Sequence, residues 1–178
     1  MHTEEIITTL LAGGIVILRT DTVYGILARA ADRQAVERIY RLKDRQAHKP
    51  FIQLVNNPTQ VAGDQALFAR IAERYADRPT SIIIETPQAP AYLTRQGTSL
   101  GYRLEKEGLL FDIIRHTGPL VAPSANPEGA APARTITQAK AYFDNAIDLY
   151  VDGGEVPADV EPSRLLKIGT DGALTQLR

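Results

Sequence analysis

The chain has 178 residues, 44% hydrophobic and 23% charged, with a net charge of -1 and no cysteine. That is chain for one domain burying roughly 70% of its unfolded surface, and it excludes disulfides, thiolate metal sites and a cysteine nucleophile. No global basic field announces a nucleic acid, and the start MHTEEIITTLLAGGIVILRT has neither a signal-peptide pattern nor an apolar run long enough to span a membrane.

Residues 3–12 predict a helix: Thr3 can cap it, Glu4 and Glu5 suit its positive end, and Ile6, Ile7, Leu10 and Leu11 share a face. Gly13-Gly14 ends it. Residues 15–18 are a β-branched apolar run, hence a buried strand. Asp32 caps a second helix with Ala35, Val36, Ile39 and Leu42 on its apolar face. A strand over 51–55 stops at Asn56-Asn57-Pro58. A third helix spans about 65–75, a strand 81–84 and a loop 86–97. A strand over 98–104, a helix over 109–116 and a short strand over 119–122 follow.

Residues 123–134, PSANPEGAAPAR, are turn-rich, and 135–143 predict a helix capped by Thr135. A strand over 147–151 runs into Asp152-Gly153-Gly154. The stretch 144–161 holds six acids and no Lys or Arg, which reads as a solvated loop. Residues 164–168 and 173–177 pair as terminal strands around Thr170-Asp171-Gly172. Strands alternating with helices predict an α/β class with a mixed sheet, in one domain over 1–178.

Phosphate-loop, dinucleotide-binding and nucleophile-elbow motifs are missing. His2, His48 and His116 are scattered without metal-ligand spacing. Three features remain. Arg19-Thr20-Asp21-Thr22-Val23-Tyr24-Gly25 follows a strand and is either a ligand-facing turn or a turn whose side chains satisfy its own amides. The cations of residues 41–49 either complement a helix C-terminus or cradle a polyanion. An apolar strand delivers Ser124 and Asn126 to one loop, where they bind a ligand or brace the loop.

In this order, T-D-T-V-Y-G, K-x-R followed by K-P, P-S-A-N, D-G-G and a late serine resemble the YrdC family, whose typical members are threonylcarbamoyl-AMP synthases. The resemblance covers residues 8–178. It implies a single-domain YrdC-like fold, a twisted mixed β-sheet flanked by helices with a large concave cavity. It implies a nucleotidyltransferase that joins L-threonine, bicarbonate or CO2, and ATP into threonylcarbamoyl-AMP and pyrophosphate, for tRNA threonylcarbamoyladenosine modification. Mg2+ would accompany the triphosphate, with no metal site of the protein's own. Implied partners are tRNA or double-stranded RNA and the tRNA threonylcarbamoyl-transfer proteins, in the cytoplasm and away from membranes. The alternative is a divergent paralogue that binds nucleotide or double-stranded RNA without this activity.

The resemblance also assigns roles. Lys43 and Arg45 match the K-x-R pair at the ATP phosphates and are the catalytic candidates. Lys49, Ser99, Ala122, Asn126 and Arg178 complete the ATP set. Thr20, Thr22, Arg103, Ser124 and Ser163 form the threonine set, with Arg103 on the threonine carboxylate. Several positions depart from the family pattern. Arg19 replaces a proline, Ala76-Asp77-Arg78-Pro79-Thr80 replaces P-G-P-x-T, Glu105 replaces the proline of V-R-x-P, and Glu128 and Arg164 replace a serine and a threonine. The x-G expected after Arg178 is not present. Arg19 and Arg164 would add positive charge at the site and Glu128 negative charge if they point inward, and Glu105 could turn Arg103 out to solvent.

Overall fold

The computed structural model describes residues 2–44, 48–169 and 172–178. The chain runs α1 (His2–Leu11), β1 (Val16–Arg19), β2 (Tyr24–Arg29), α2 (Arg33–Lys43), β3 (Gln53–Val55), α3 (Gln65–Arg74), β4 (Thr80–Glu85), α4 (Ala91–Thr94) and β5 (Ser99–Leu104). It continues through α5 (Gly108–Thr117), β6 (Leu120–Val121), α6 (Ile136–Phe143), β7 (Leu149–Tyr150), β8 (Arg164–Ile168) and β9 (Leu174–Gln176). The strands form one mixed sheet in the order β7-β1-β2-β6-β3-β5-β4-β8-β9.

Local chemistry fixes the helix starts. The side chains of Asp32, Asp64 and Thr135 accept from the amides of Ala35, Leu67 and Gln138, occupying donors that an open helix end leaves unpaired.

Alternation along each strand then sorts the core into two layers. Ile15, Ile17, Ile26, Val55, Ile82, Tyr102 and Leu166 point to one face, where α2, α3, α4 and α6 cover them with Val36, Ile39, Phe68, Leu93 and Phe143. Val16, Leu18, Leu27, Leu54 and Leu120 point to the other, where α1 and α5 supply Ile6, Leu10, Leu110, Ile113 and Ile114. This second layer covers only part of its face. The rest of that face is the floor of a cavity.

Three differences from the sequence expectations have simple causes. β2 begins at Tyr24 because a four-residue reversal suffices before it: the Thr20 amide donates to the Val23 carbonyl at 2.9 Å. β3 is shorter than 51–55: it begins at Gln53, and Phe51 and Ile52 line the cavity, although the Ile52 carbonyl still accepts the Ala122 amide at 3.0 Å. Within 86–97, α4 forms one turn and ends at Arg95 with φ of 52°.

The acid-rich stretch is more than a solvated loop. Asp148 accepts the Ile15 amide at 2.7 Å and pairs with Arg38 at 2.7 Å. Partial burial works against the Asp148 charge, but the Ile15 and Arg38 donors outweigh it and hold its carboxyl below the usual value. The buried Tyr24 hydroxyl donates to the Gly154 carbonyl at 2.8 Å and accepts the Gly153 amide at 3.0 Å. The Asp152-Gly153-Gly154 strap is thereby fastened to β2. No helix among the described residues is long and apolar enough to cross a membrane.

Candidate functional site

The cavity encloses about 360 Å³. Its floor is Gly25 of β2, Leu54 of β3, Ser81 and Ile83 of β4, Arg103 of β5 and Leu165 of β8. Its walls are the turn 20–23, the segment 50–52, the loop 122–124, Pro132, the pair 162–163 and Arg178. Gly101 keeps this floor low. A Cβ there would lie 2.3 Å from Cδ1 of Ile52, so any larger residue would push the end of that side chain aside.

The first wall is both things its sequence allowed. Thr20 Oγ1 donates to the Val23 carbonyl at 2.7 Å and accepts the Val23 amide at 3.2 Å, so Thr20 closes its own turn. Thr22, 7% exposed, still lines the cavity.

The loop after β6 is braced from within. Asn126 Nδ2 donates to the carbonyls of Pro127 and Ala130, both at 2.8 Å, and its Oδ1 accepts the Ser124 hydroxyl at 2.6 Å. That bond spends the single hydroxyl proton of Ser124, so its oxygen offers the cavity acceptor lone pairs only. Asn126 is buried and its side chain serves the loop rather than the open space.

Lys43 sits behind the same loop. It is 2% exposed, and its Nζ donates to the carbonyls of Ser124 and Asn126. The exposed phosphate cradle expected at the end of α2 is corrected here for Lys43, whose ammonium is committed to backbone oxygens. Arg45 lies outside the described residues.

Arg103 is the buried cation of the floor. Its Nε donates to Glu105 Oε1 at 2.7 Å and its Nη1 pairs with Asp21 Oδ1 at 3.0 Å. Glu105 therefore does not turn Arg103 to solvent but fixes it in the wall, at 8% side-chain exposure. Burial pushes the Glu105 carboxyl above its usual value, Arg103 opposes the rise, and Asp21 adds to it.

Arg178 Nε donates to the Ser163 carbonyl at 3.0 Å and its Nη2 to Ser163 Oγ at 3.3 Å, joining two rim residues.

Seven expected residues thus meet at one cavity: Thr20, Thr22, Arg103, Ala122, Ser124, Ser163 and Arg178. Four others stand off its lining. Lys43 and Asn126 brace the loop from behind, and Lys49 pairs with Glu128 at 2.8 Å. Ser99 starts β5 opposite Glu85, two positions beyond Gly101, and also lies outside the lining. Among the altered positions, Arg19 donates to the Gly153 carbonyl and Arg164 chelates Asp77 at 2.9 and 2.7 Å. Neither lines the cavity.

The sequence pattern missed one partner of Arg103, Asp21, whose contact is made only by the fold, and it set Glu105 beside Arg103 without the ion pair that two-residue strand spacing allows. It also missed Phe51. This cavity residue stacks on Tyr40 with centroids 3.9 Å apart. The Arg95 guanidinium covers the Tyr40 ring at 3.6 Å and is held by Glu37 through two bonds of 3.0 Å.

Comparison with known proteins gives the family and the fold. The Sua5/YciO/YrdC family model, described as telomere recombination, matches residues 8–178. The chain is 32% identical over 169 residues to a threonylcarbamoyl-AMP synthase of Marinobacter nauticus, covering 91% of this chain and 88% of that protein. It is 30% identical over 173 residues to a protein of the same name from Dichelobacter nodosus, covering 92% and 88%. Among solved structures, P. abyssi Sua5 complexed with L-threonine matches with a TM-score of 0.86 and 26% identity, over 99% of this chain and 53% of that one, so this chain spans about half its length. E. coli YciO shares the fold, with a TM-score of 0.82 at 17% identity, over 99% of this chain and 88% of that one. With a match across residues 8–178 and the expected residues gathered at one cavity, the chain belongs to the Sua5/YciO/YrdC family.

Proposed function

We propose that this protein is an enzyme that makes threonylcarbamoyl-AMP from L-threonine, bicarbonate or CO2, and ATP, a nucleotidyl transfer that releases pyrophosphate. The observation that carries the reading is the convergence of Thr20, Thr22, Arg103, Ala122, Ser124, Ser163 and Arg178 on one cavity. The naming of relatives that align over nine-tenths of the chain supports it.

The chemistry asks little of a protein nucleophile. Threonine's amine takes up CO2 as a carbamate, a carbamate oxygen attacks the α-phosphorus, and pyrophosphate leaves. The protein must hold two anions together and offset charge developing on phosphate, which is positioning plus electrostatics. In this reading Arg103 faces the threonine carboxylate, Thr20, Thr22, Ser124 and Ser163 surround the amino acid, and Ser124 accepts from a substrate N–H or O–H. The ATP side comprises Arg45, Lys49, Ser99, Ala122, Asn126 and Arg178. Lys43 adds positive potential from beneath the loop that it braces. Mg2+ arrives with the triphosphate, held by phosphate oxygens and water.

The product is a mixed anhydride, primed to pass its threonylcarbamoyl group to a tRNA adenosine. Transfer proteins and tRNA are its consumers, and the cytoplasm is where they meet ATP and bicarbonate. The test is pyrophosphate release from ATP with L-threonine and bicarbonate varied separately. Dependence on both is expected, and release that needs neither would overturn the reading.

A further inference from the structure

The Arg103 guanidinium has five N–H donors in a planar fork. The hydrogen on Nε is spent on Glu105 at 2.7 Å, which closes the side edge of the fork to a second carboxylate. Nη1 pairs with Asp21 Oδ1 at 3.0 Å. With Nε on Glu105 and Nη1 on Asp21, an incoming carboxylate that takes the fork's end must share or take over Nη1.

The two partners are not equivalent. Glu105 is 13% exposed and follows the last residue of β5, with its amide bonded to the Val55 carbonyl at 2.8 Å. Asp21 is 37% exposed and sits on a turn between Thr20 and Thr22, which both line the cavity. Pulling a buried carboxylate off its cation strands a charge in a dry place. A carboxylate already in contact with water gives up little when released.

We propose that Asp21 occupies the end of Arg103 where the substrate's carboxylate binds, and that the substrate displaces it while Glu105 stays to aim the guanidinium. This rests on the proposed synthase reading and adds what that reading lacks, a competitor built into the site. The apparent threonine affinity is then set by an exchange of one carboxylate for another on Nη1. The same exchange frees the turn that carries Thr20 and Thr22, so seating the carboxylate and adjusting that wall become one event. Glu105 is a positioning residue.

The experiment is steady-state pyrophosphate release by the full chain, with L-threonine varied at saturating ATP and bicarbonate. Asp21→Asn keeps the shape and removes the charge, so the KM for threonine should fall about two- to five-fold, the size of a partly exposed ion pair, while the KM for ATP holds. Glu105→Ala should raise the threonine KM, and Glu105→Gln, which still accepts from Nε, should recover most of the loss. An unchanged or raised threonine KM in Asp21→Asn overturns the proposal. A crystal structure of the unmodified chain with L-threonine tests it without any variant. The expected result is the threonine carboxylate on the end of Arg103 with Asp21 beyond ion-pair distance, and Asp21 still on Nη1 beside bound threonine overturns the proposal. Threonine that binds while Asp21 stays put defeats this inference alone, whereas no threonine binding to either protein defeats the synthase reading with it.

Discussion

The ammonium of Lys43, on the last turn of α2, donates to the carbonyl of Ser124, 81 positions further along the chain. A second bond to the Asn126 carbonyl makes this lysine the underside of the loop whose upper side faces the cavity. The consequence is a linked loss. Lys43→Met keeps most of the bulk but takes a charged donor from the buried Asn126 carbonyl and leaves the Ser124 carbonyl only the Asn126 amide, and should destabilise the fold by about 1.5–3 kcal/mol as it abolishes synthesis. A phosphate ligand on the surface would instead be removable without loss of stability. Urea denaturation of the variant beside its activity separates the two.

Ser124 and Asn126 should behave differently despite sharing one motif. Asn126→Ala removes three bonds inside a buried loop and should cost about 1–3 kcal/mol. Ser124→Ala removes one hydroxyl that lines the cavity and its single bond to Asn126 Oδ1, and should lower the melting temperature less than Asn126→Ala does while slowing synthesis. Equal melting temperatures for the two variants would contradict the division of labour drawn from their hydrogen bonds.

How much of this was visible in the chain itself follows from the range of each interaction. Asp32 and Thr135 announced helix starts because a cap is decided within four residues, and β1, β4 and β8 were readable because an apolar run carries its own period. The T-D-T turn, Ser124 and Arg103, which the family resemblance singles out, meet at one cavity. What could not be read was partnership across the sheet. Nothing near Arg103 in sequence says that Asp21 reaches it, since that contact requires the strand order to bring the turn before β2 over β5. Lys43 looked like one member of a basic surface cluster, because burial at a helix end depends on the loop that packs over it. The strand β2 was hidden by its neighbours, since the motif drew attention to residues 19–25 as a turn when the reversal needs only 20–23.

Glu105 should leave a mark on the pH dependence of stability. Its carboxyl is raised by burial, so the folded state holds that proton more tightly than the unfolded chain does. The resulting stabilisation is full below the unfolded carboxyl's ordinary value of about 4.3, and is lost as pH rises through the raised value. Relative to Glu105→Gln, the unmodified chain should therefore lose stability on going up in pH across that window. Urea midpoints of both proteins over a pH series measure it, and a difference independent of pH would contradict the assigned direction.

Asp148 should show the opposite sign. Its carboxyl is held down by the Ile15 amide and Arg38, so its contribution is present above the ordinary aspartate value and disappears as pH falls through the depressed one. Asp148→Ala should cost about 1 kcal/mol at neutral pH, mostly from the amide bond, because the ion pair with Arg38 is a third exposed and screened. The cost should shrink in acid, and thermal melts at two pH values check it.

Tyr40 gives the molecule an optical handle on its own cavity. The chain has seven tyrosines, four phenylalanines and no tryptophan, so its long-wavelength near-ultraviolet band belongs to tyrosine, with phenylalanine absorbing weakly at shorter wavelength. Tyr40 is clamped between the Arg95 guanidinium and the ring of Phe51, and Phe51 is part of the cavity wall. A guest that shifts Phe51 alters the asymmetric surroundings of a chromophore that it never touches. Circular dichroism near the tyrosine band can then follow filling of the cavity by label-free titration, and Phe51→Leu, which keeps an apolar wall but breaks the ring stack, supplies the silent control.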